Sequence, residues 1–215
     1  EQAKSGAELI DVDYEELSPV VDFENAGDGA QIHDEVPNNC YFDWELGDEK
    51  ATADALSGAK KIVKLRVRNN RLVPNAMEPR CALAEFDNLD DSYTLHTTSQ
   101  NPHLTRLVLA AFMFAIPESK LRVIAPDVGG GFGSKIYVYI EEAVCVWASK
   151  KVGRPVKWTA DRTQAFLTDC HGRDHVNDVQ LGLDENNKIV GLRVDTVCNL
   201  GAYLSAFSVV VPTYL

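Results

Sequence analysis

Hydrophobic side chains recur at helical spacing in two segments of the second half of the chain. The first segment starts at Asn101-Pro102, which favour the N-cap and the first turn of a helix, and it ends before Pro117. The second runs from about Ile136 to Lys151 and stops at Gly153. The spacing predicts that the two helices bury these apolar faces: Leu104, Leu107, Val108, Ala111 and Phe112 in the first, and Ile136, Ile140, Ala143, Val144 and Trp147 in the second.

Alternation of apolar and polar residues is typical of β-strands and occurs in several other segments. A polar turn at Asp184 to Asn187 joins two of them, which predicts a hairpin. Strands and helices together indicate the α+β class, or mixed α/β, with helices packed on a mixed sheet. The alternating segments are the start of 9–22, which turns at Ser18-Pro19, and then 60–71, 93–96, 120–126, 175–183 and 188–197.

Charge is distributed unevenly along the 215 residues, whose formal net charge is -11. Residues 1–59 carry 16 acidic and 2 basic side chains, whereas residues 60–215 carry 16 acidic and 19 basic ones. The acidic stretch 23–59 is rich in Gly, Asn and Asp, which predicts a long surface connection. The only basic cluster, Lys60 to Arg71, alternates with apolar residues, so it indicates a strand with one polar face rather than a nucleic-acid surface.

Cysteine usage and the chain ends suggest where the protein works. The five cysteines form no C-x-x-C pair and leave an odd count, so neither a disulfide framework nor a zinc site is indicated, and a cytoplasmic location is expected. No apolar run approaches the roughly 20 residues of a membrane span. The start, Glu1 to Glu8, does not resemble a signal peptide, and the end, 206–215, stops inside an apolar stretch. We therefore expect a fragment whose exposed apolar surface favours association between copies.

The segment Val128 to Lys135 has four glycines in five positions between a predicted strand and a predicted helix. Such a loop lets backbone N–H groups approach an anionic ligand closely. The spacing fits neither a P-loop, since Ser134-Lys135 is in reversed order, nor a dinucleotide fingerprint, since position 134 is serine. The alternative is a tight turn packed under a helix, but Phe132, an aromatic residue among glycines, favours a specific site.

A second candidate is Gln100, which follows the strand 93–96 and precedes the first helix. Helix capping explains its neighbours but leaves Gln100 itself unexplained, and a side-chain amide there suits recognition of an oxo or phosphate group. Structural roles are favoured for the other candidates: His171 and His175 as surface or core histidines, Cys145 as a packed thiol, and Asp161-Arg162 and Arg173-Asp174 as solvated charges or ion pairs that hold loops.

These motifs resemble the molybdenum hydroxylase large subunit shared by xanthine dehydrogenases, aldehyde oxidases and aerobic carbon monoxide dehydrogenase. The resemblance covers nearly the whole chain, and Asn75 to Arg80 looks closest to bacterial carbon monoxide dehydrogenase-like members. It implies three regions: 1–22 as the end of the hammerhead α/β domain, 23–59 as an acidic linker, and 60–215 as the truncated first part of the molybdopterin-binding domain. The matching tracts are Asn70 to Arg80, Thr98 to Asn101, Asp127 to Lys135, Gly153 to Val156 and Gly201 to Tyr203.

The resemblance also implies roles for the two motifs. Gln100 would donate to an oxo ligand of molybdenum, and Phe132 would lie beside the metal without ligating it. Gly130, Gly131, Phe132 and Gly133 would cradle the pterin-bearing cofactor, in its cytosine dinucleotide form if the source is bacterial. The implied reaction is hydroxylation of a small substrate with oxygen from water, with electrons leaving through iron–sulfur clusters to FAD on partner domains or subunits.

Two departures from the family pattern limit this expectation. Xanthine-oxidising members carry an acidic residue where this chain has Ile136, so carbon monoxide, an aldehyde or an N-heterocycle is expected rather than a purine. The family's general-base glutamate would lie far beyond residue 215, so the chain alone is expected to be inactive. Two alternatives remain: a non-catalytic folded or assembly module that retains the family sequence, and a small-anion-binding protein that uses the glycine loop.

Overall fold

The computed structural model describes residues 1–204 and divides the chain into two compact units, Glu1–Gly47 and Asp48–Leu215. The helices are α1 (Gln2–Ala7), α2 (Glu49–Ser57), α3 (Pro102–Leu107), α4 (Ile140–Val152) and α5 (Arg162–Thr168). The strands are β1 (Lys61–Asn69), β2 (Cys81–Asp87), β3 (Ser92–Thr97), β4 (Leu121–Ile124), β5 (Val156–Thr159), β6 (His175–Leu183) and β7 (Ile189–Cys198).

The first unit contains little regular structure besides α1 and two short 3₁₀ turns, Phe23–Asp28 and Pro37–Asn39. The Asn39 side chain holds the two turns together: its amide donates to the carbonyls of Ala26 (2.8 Å) and Ala30 (2.9 Å), and its oxygen accepts from the backbone N–H of Ile32 (2.9 Å). The strand expected at the start of 9–22 is wrong, because these residues pair with no strand within residues 1–204 and their apolar side chains are exposed.

The second unit contains a mixed four-stranded sheet in the order β4-β3-β2-β5, in which β3 and β4 run parallel and the other pairs antiparallel. Helix α4 covers this sheet, and the π-helical turn Val108–Met113 that continues α3 adds Leu109 and Ala110 to the same core. The mixed α/β class is therefore confirmed. Its fully buried centre consists of Ala82, Ala84, Leu95, Leu109, Ala110, Leu121, Ala143, Cys145 and Val146.

A second sheet, in the order β1-β6-β7, is wholly antiparallel, and β6 and β7 form the expected hairpin. Helix α2 packs on it through Leu56, and Gly182 and Gly191 make room for that side chain; a Cβ on Gly182 would lie 3.0 Å from Leu56 Cδ2. The sequence predicted only a surface connection over 23–59, so the prediction missed this helix. Asp48 caps it by accepting from the backbone N–H of Ala51 (2.8 Å).

Both central helices form, but the faces predicted to be buried are largely wrong. In α4, Ile140, Val144 and Trp147 are exposed, and the buried face is Glu142, Ala143, Cys145, Val146 and Ser149. Both helices carry apolar residues on several faces, so spacing alone does not select the face that meets the sheet.

The first helix shows the same reversal, since Leu107 and Phe112 are exposed while Thr105 and Leu109 are buried. Its cap also differs: the Asn101 side chain makes no cap bond, and the Ser99 hydroxyl accepts from the Asn101 N–H instead (2.9 Å).

Helix α4 ends before Gly153, as the sequence predicted, and Gly153 has a left-handed backbone at φ 62°. The apolar end at 206–215 lies outside the described residues. Within residues 1–204, no helix is long and apolar enough to cross a membrane.

Glu142 is a carboxylate inside the core, on the sheet-facing side of α4. It accepts from the Thr97 hydroxyl and from the backbone N–H of Tyr139 (3.0 Å), so both oxygens are bonded. Burial raises the pKa of Glu142 above its usual range, against the smaller opposing effect of these bonds. Folding therefore favours the protonated carboxyl.

We expect the stability of Glu142→Gln, relative to the unsubstituted protein, to increase as pH rises from about 4 towards neutrality. Because the folded pKa is raised, the contribution of Glu142 is fully present below the unfolded pKa and is lost as pH rises through the folded pKa. The glutamine amide stays neutral: its oxygen can accept from the Tyr139 N–H, and its N–H₂ can donate to the Thr97 hydroxyl oxygen in place of the original bond. Urea denaturation of the chain across this pH range measures the effect, with the exposed Glu85→Gln as control. Parallel pH profiles for Glu142→Gln and the control would contradict this explanation.

Candidate functional site

The two candidate motifs meet at one edge of the mixed sheet. Gln100 follows β3, and the glycine loop 128–135 follows β4. Because β3 and β4 are parallel neighbours, paired from Tyr93 with Leu121 to His96 with Ile124, their C-terminal ends lie side by side. Ligand sites in parallel sheets commonly form at this edge.

Gln100 is attached to the glycine loop through its side-chain oxygen. Oε1 accepts from the backbone N–H of Gly133 (3.0 Å) and of Lys135 (3.2 Å), and the Gln100 N–H donates to the Lys135 carbonyl (2.8 Å). Two N–H donors define which end of the amide carries oxygen. The Nε2 group, which can only donate, has no acceptor within residues 1–204 and lies on an exposed side chain.

Gly131 is the residue that permits this contact. A Cβ at this position would lie 2.3 Å from Gln100 Oε1 and 2.4 Å from Gln100 Cδ, well inside any real carbon contact. Glycine is required here for space rather than for backbone conformation. Its neighbours Gly130 (φ 95°) and Gly133 (φ 93°) instead need glycine for their left-handed backbone.

Three successive backbone N–H groups in the loop make no hydrogen bond within residues 1–204. The N–H groups of Gly130, Gly131 and Phe132 donate to no acceptor in the part of the chain that the structure describes. Ser134 closes the loop behind them, since its N–H (3.0 Å) and its hydroxyl (2.9 Å) both donate to the Gly131 carbonyl. Consecutive free N–H groups of this kind form a concave anion site.

Phe132 adopts a left-handed backbone at φ 52° and leaves 75% of its surface exposed. Such a conformation is uncommon for an aromatic residue and costs free energy. Its ring lies over Gly130, where a Cβ would be 2.9 Å from Phe132 Cε2. The ring is thus presented at the surface beside the three free N–H groups.

The structure adds Glu78 and Lys135, which the sequence argument did not select as site residues. Lys135 leaves only 2% of its surface exposed, and its Nζ donates to Glu78 Oε2 (3.1 Å) and to the Glu78 carbonyl (2.8 Å). The same Oε2 accepts from the Gly129 N–H (2.7 Å). A glutamate within a family tract and a lysine two residues after the last glycine were the available signals, but only the fold brings them together.

A buried arginine supports the loop from below. Arg80 donates to Asp169 Oδ1 (2.6 Å) and to Glu141 Oε2 (3.1 Å), and its guanidinium lies 3.5 Å from the Tyr139 ring centroid. Burial opposes the charge of Arg80, but its bonds to Glu141 and Asp169 outweigh that effect and raise its pKa. The Tyr139 hydroxyl in turn donates to the Ser134 carbonyl (2.6 Å). Arg80 and Tyr139 line a small pocket together with Lys135, the last residue of the loop.

Tyr139 remains a neutral donor in this setting. Burial raises the pKa of its hydroxyl far above the usual range, and the hydroxyl also accepts from the Cys170 N–H (2.9 Å). It therefore links the end of the glycine loop to the segment that follows α5.

The remaining candidates lie elsewhere and have structural contacts. Cys145 is buried in the core, as predicted, and Asp174 pairs with Arg71 (2.9 Å). Asp161 caps α5 by accepting from the Gln164 N–H (2.7 Å) instead of pairing with Arg162. His175 is buried, 3.3 Å from the Asn69 amide nitrogen. Among residues 1–204, no group of three or more His, Cys, Asp or Glu residues is arranged to hold a metal ion.

Residues 32–215 match the family described as "Molybdopterin cofactor-binding domain". The chain is 34% identical to the carbon monoxide dehydrogenase large chain of Hydrogenophaga pseudoflava, over 94% of this chain and 27% of that protein. It is 30% identical to the nicotine 6-hydroxylase large subunit of Paenarthrobacter nicotinovorans, over 94% of this chain and 24% of that protein.

A solved structure agrees. The Cu,Mo-CO dehydrogenase in its carbon monoxide reduced state superimposes with a TM-score of 0.84 at 32% identity, over 90% of this chain and 26% of that one. The chain therefore belongs to the molybdopterin cofactor-binding domain family, as the motifs indicated. It spans about a quarter of the length of the curated relatives that it matches.

The geometry predicts how tightly Gly131 and Gln100 depend on each other. Gly131→Ala should force the Gln100 side chain away from the loop and cost about 1–3 kcal/mol, because the hydrogen bonds from the Gly133 and Lys135 N–H groups to Gln100 are lost. In a Gln100→Ala background the same change should cost less than half as much. Urea denaturation of the single and double variants measures this coupling.

Gly172→Ala is the matched control, since a Cβ there meets nothing within 4 Å and the backbone is not left-handed. Additive costs in the double variant would show that Gln100 does not occupy the space beside Gly131.

Proposed function

We propose that this chain forms part of the molybdopterin-binding region of a molybdenum-dependent oxidoreductase that hydroxylates a small substrate with oxygen from water. The observation that carries the proposal is the meeting of the Gln100 amide with the three free N–H groups of Gly130 to Phe132. Membership of the molybdopterin cofactor-binding domain family supports it.

The residues present fit such a cofactor. Molybdopterin carries phosphate and is anionic, and the three N–H groups offer donors without a competing side chain on Gly131. The Gln100 oxygen is occupied by the loop, so only its Nε2 donor can face an oxo group. When bound, the cofactor would supply the redox centre for hydroxylation.

Each residue would then have a distinct role. Gly130, Gly131 and Phe132 would bind the cofactor through their N–H groups, and Gly133 would orient Gln100 by donating to Oε1. Gln100 would donate through Nε2 to an oxo ligand of molybdenum, in an orientation already defined before the ligand binds. The exposed ring of Phe132 would cover the adjacent metal site and restrict water without ligating the metal.

We further propose that electrons leave through iron–sulfur clusters and FAD on partner domains or subunits, and that the cofactor is the cytosine dinucleotide form if the protein is bacterial. The curated relatives named above are large subunits or chains, which supports a multi-subunit assembly. We also propose a cytoplasmic enzyme, because cysteine usage indicates a reducing compartment.

A single side chain supports the proposed substrate class. Ile136, which follows Lys135 directly, offers no charge to a purine, so carbon monoxide, an aldehyde or an N-heterocycle is favoured. The names of the relatives include both carbon monoxide and nicotine as substrates. The 215 residues alone should be inactive, since they span about a quarter of these relatives.

The regional division is also a proposal. We assign 1–22 to the end of a hammerhead domain, 23–59 to a linker and 60–215 to the first part of the cofactor domain. The family match begins at residue 32, which supports a different origin for the first region. The packing of α2 on the second sheet instead counts against a linker that extends as far as residue 59.

Metal and pterin analysis of the full-length protein, purified with its natural partners, tests the function. We expect about one molybdenum per large subunit, with Gly131→Val losing the cofactor because any side chain collides with Gln100. Gln100→Ala should lower kcat/KM by about 10² or more, as the loss of one preorganised donor does elsewhere. Gln180→Ala on β6 is the control.

An intact, folded complex without molybdenum or pterin would exclude this function. It would favour the assembly-module alternative, whereas tight binding of inorganic phosphate by such a complex would favour the anion-binding alternative.

A further inference from the structure

Glu78 bridges the two ends of the glycine loop. Its carboxylate oxygen Oε2 accepts from the Gly129 N–H at the start of the loop (2.7 Å) and from Lys135 Nζ at its end (3.1 Å). Its backbone adds two more bonds, because the Glu78 N–H donates to the Gly129 carbonyl (3.2 Å) and the Glu78 carbonyl accepts from Lys135 Nζ (2.8 Å). One residue outside the loop thus determines where the loop begins and ends.

Lys135 carries this constraint to Gln100. Its side chain binds Glu78, while its backbone N–H donates to Gln100 Oε1 (3.2 Å) and its carbonyl accepts from the Gln100 N–H (2.8 Å). The Lys135 ammonium is almost wholly buried. A buried ammonium without its carboxylate is strongly unfavourable, so Glu78 and Lys135 hold each other in place.

Glu78 is itself fixed from both sides. The guanidinium of Arg162, in the first turn of α5, donates to the Met77 carbonyl (2.9 Å), and the Asn75 side-chain oxygen accepts from the same guanidinium. On the other side, Arg80 is buried among Glu141, Asp169 and Tyr139. The short tract between these arginines therefore presents Glu78 to the loop from a rigid base.

Packing between the two segments is close. A Cβ on Gly129 would lie 2.6 Å from Glu78 Cβ, so the first glycine of the loop is required by Glu78 rather than by the ligand side. This separates the roles of the four glycines: Gly129 meets Glu78, Gly131 meets Gln100, and Gly130 and Gly133 supply left-handed turns.

The charges of the pair also matter to an anionic ligand. Glu78 alone would place a negative charge within hydrogen-bonding distance of the Gly129 N–H, next to the three N–H groups proposed to bind the cofactor. The Lys135 ammonium neutralises that charge at 3.1 Å. The pair thus joins the two ends of the loop and leaves no net charge that would repel an anion.

From these contacts we propose that Glu78 and Lys135 act as a positioning pair, which aligns the loop N–H groups and Gln100 for the cofactor without touching it. The proposal rests on the function proposed above and adds to that site Glu78, which lies outside the glycine loop, and the side chain of Lys135 at the end of the loop. It makes the Asn75 to Arg80 tract part of the site, through Glu78.

The test uses the full-length complex with Glu78→Gln, Lys135→Met, the double variant and Glu85→Gln, a glutamate-to-glutamine change at an exposed position on β2, as control. Hydrogen–deuterium exchange of peptides covering 128–135 should be about tenfold faster or more in Glu78→Gln and Lys135→Met, and unchanged in the control. Loop exchange is a readout that does not require turnover.

Molybdenum and pterin retained after dialysis provide the second readout. Lys135→Met leaves an unpaired carboxylate beside the anion site and should lose the most cofactor. The double variant is neutral again and should retain more cofactor than Lys135→Met. This recovery would not be seen if the substitutions merely weakened the fold, because two such changes in one region would add.

Two outcomes separate this proposal from the function on which it rests. Cofactor absent from the wild-type complex would overturn the proposed function and the positioning role together. Cofactor present in the wild type, with Glu78→Gln matching Glu85→Gln in loop exchange and in retention, would overturn the positioning pair alone. A double variant with less cofactor than Lys135→Met would overturn it as well.

Discussion

Parallel pairing of β3 with β4 is the constraint on which the site depends. It places the ends of two strands, separated by more than twenty residues of chain, at the same edge of the sheet, and so brings Gln100 to the glycine loop. Every later feature follows from this proximity. The amide oxygen is used to bind the loop, the amide N–H₂ is left to face outward, and Gly131 is small because the amide occupies the space beside it. A preorganised donor of this kind avoids reorganisation when a charged ligand arrives.

A loop of four glycines loses much conformational entropy when it is ordered, so its shape must be maintained by its surroundings. Here that support is polar and largely buried. Ser134 and Tyr139 hold the carbonyls of the loop, and the ion pair of Glu78 with Lys135 joins its ends. Unpaired groups in such a network are costly, so each partner restricts the others and a single arrangement is favoured. Within the described residues, the N–H groups of Gly130, Gly131 and Phe132 take no part in this network, which is the property expected of a binding site.

Membership of the molybdopterin cofactor-binding domain family gives this arrangement a chemical meaning, and the structure gives the family motifs a physical one. The Thr98 to Asn101 motif contains the amide and the start of a helix, while Asp127 to Lys135 contains both the glycine loop and the lysine that binds Glu78. The tract Asn75 to Arg80 appeared in the sequence only as a mark of resemblance. In the fold, it carries the carboxylate that binds the loop and the arginine beneath it. Contacts that support the ligand-binding residues, rather than the ligand itself, commonly decide how accurately a site is held.

Local chemistry in the sequence determined the hairpin of β6 and β7, the end of α4 at Gly153, the strands that flank both motifs, and the two motifs themselves. These features depend on neighbouring residues: strand alternation, a left-handed glycine, and glycines without side chains. The tertiary structure alone decided which faces of α3 and α4 are buried, because both helices are apolar on several sides and the sheet selects one. It also decided that residues 9–22 form no strand within the described chain, because no strand there pairs with them. It likewise decided that Glu78 meets Lys135, because these two residues lie more than fifty positions apart in the sequence. Sequence spacing reports what a segment can bury or pair with, whereas only the folded chain supplies the partner.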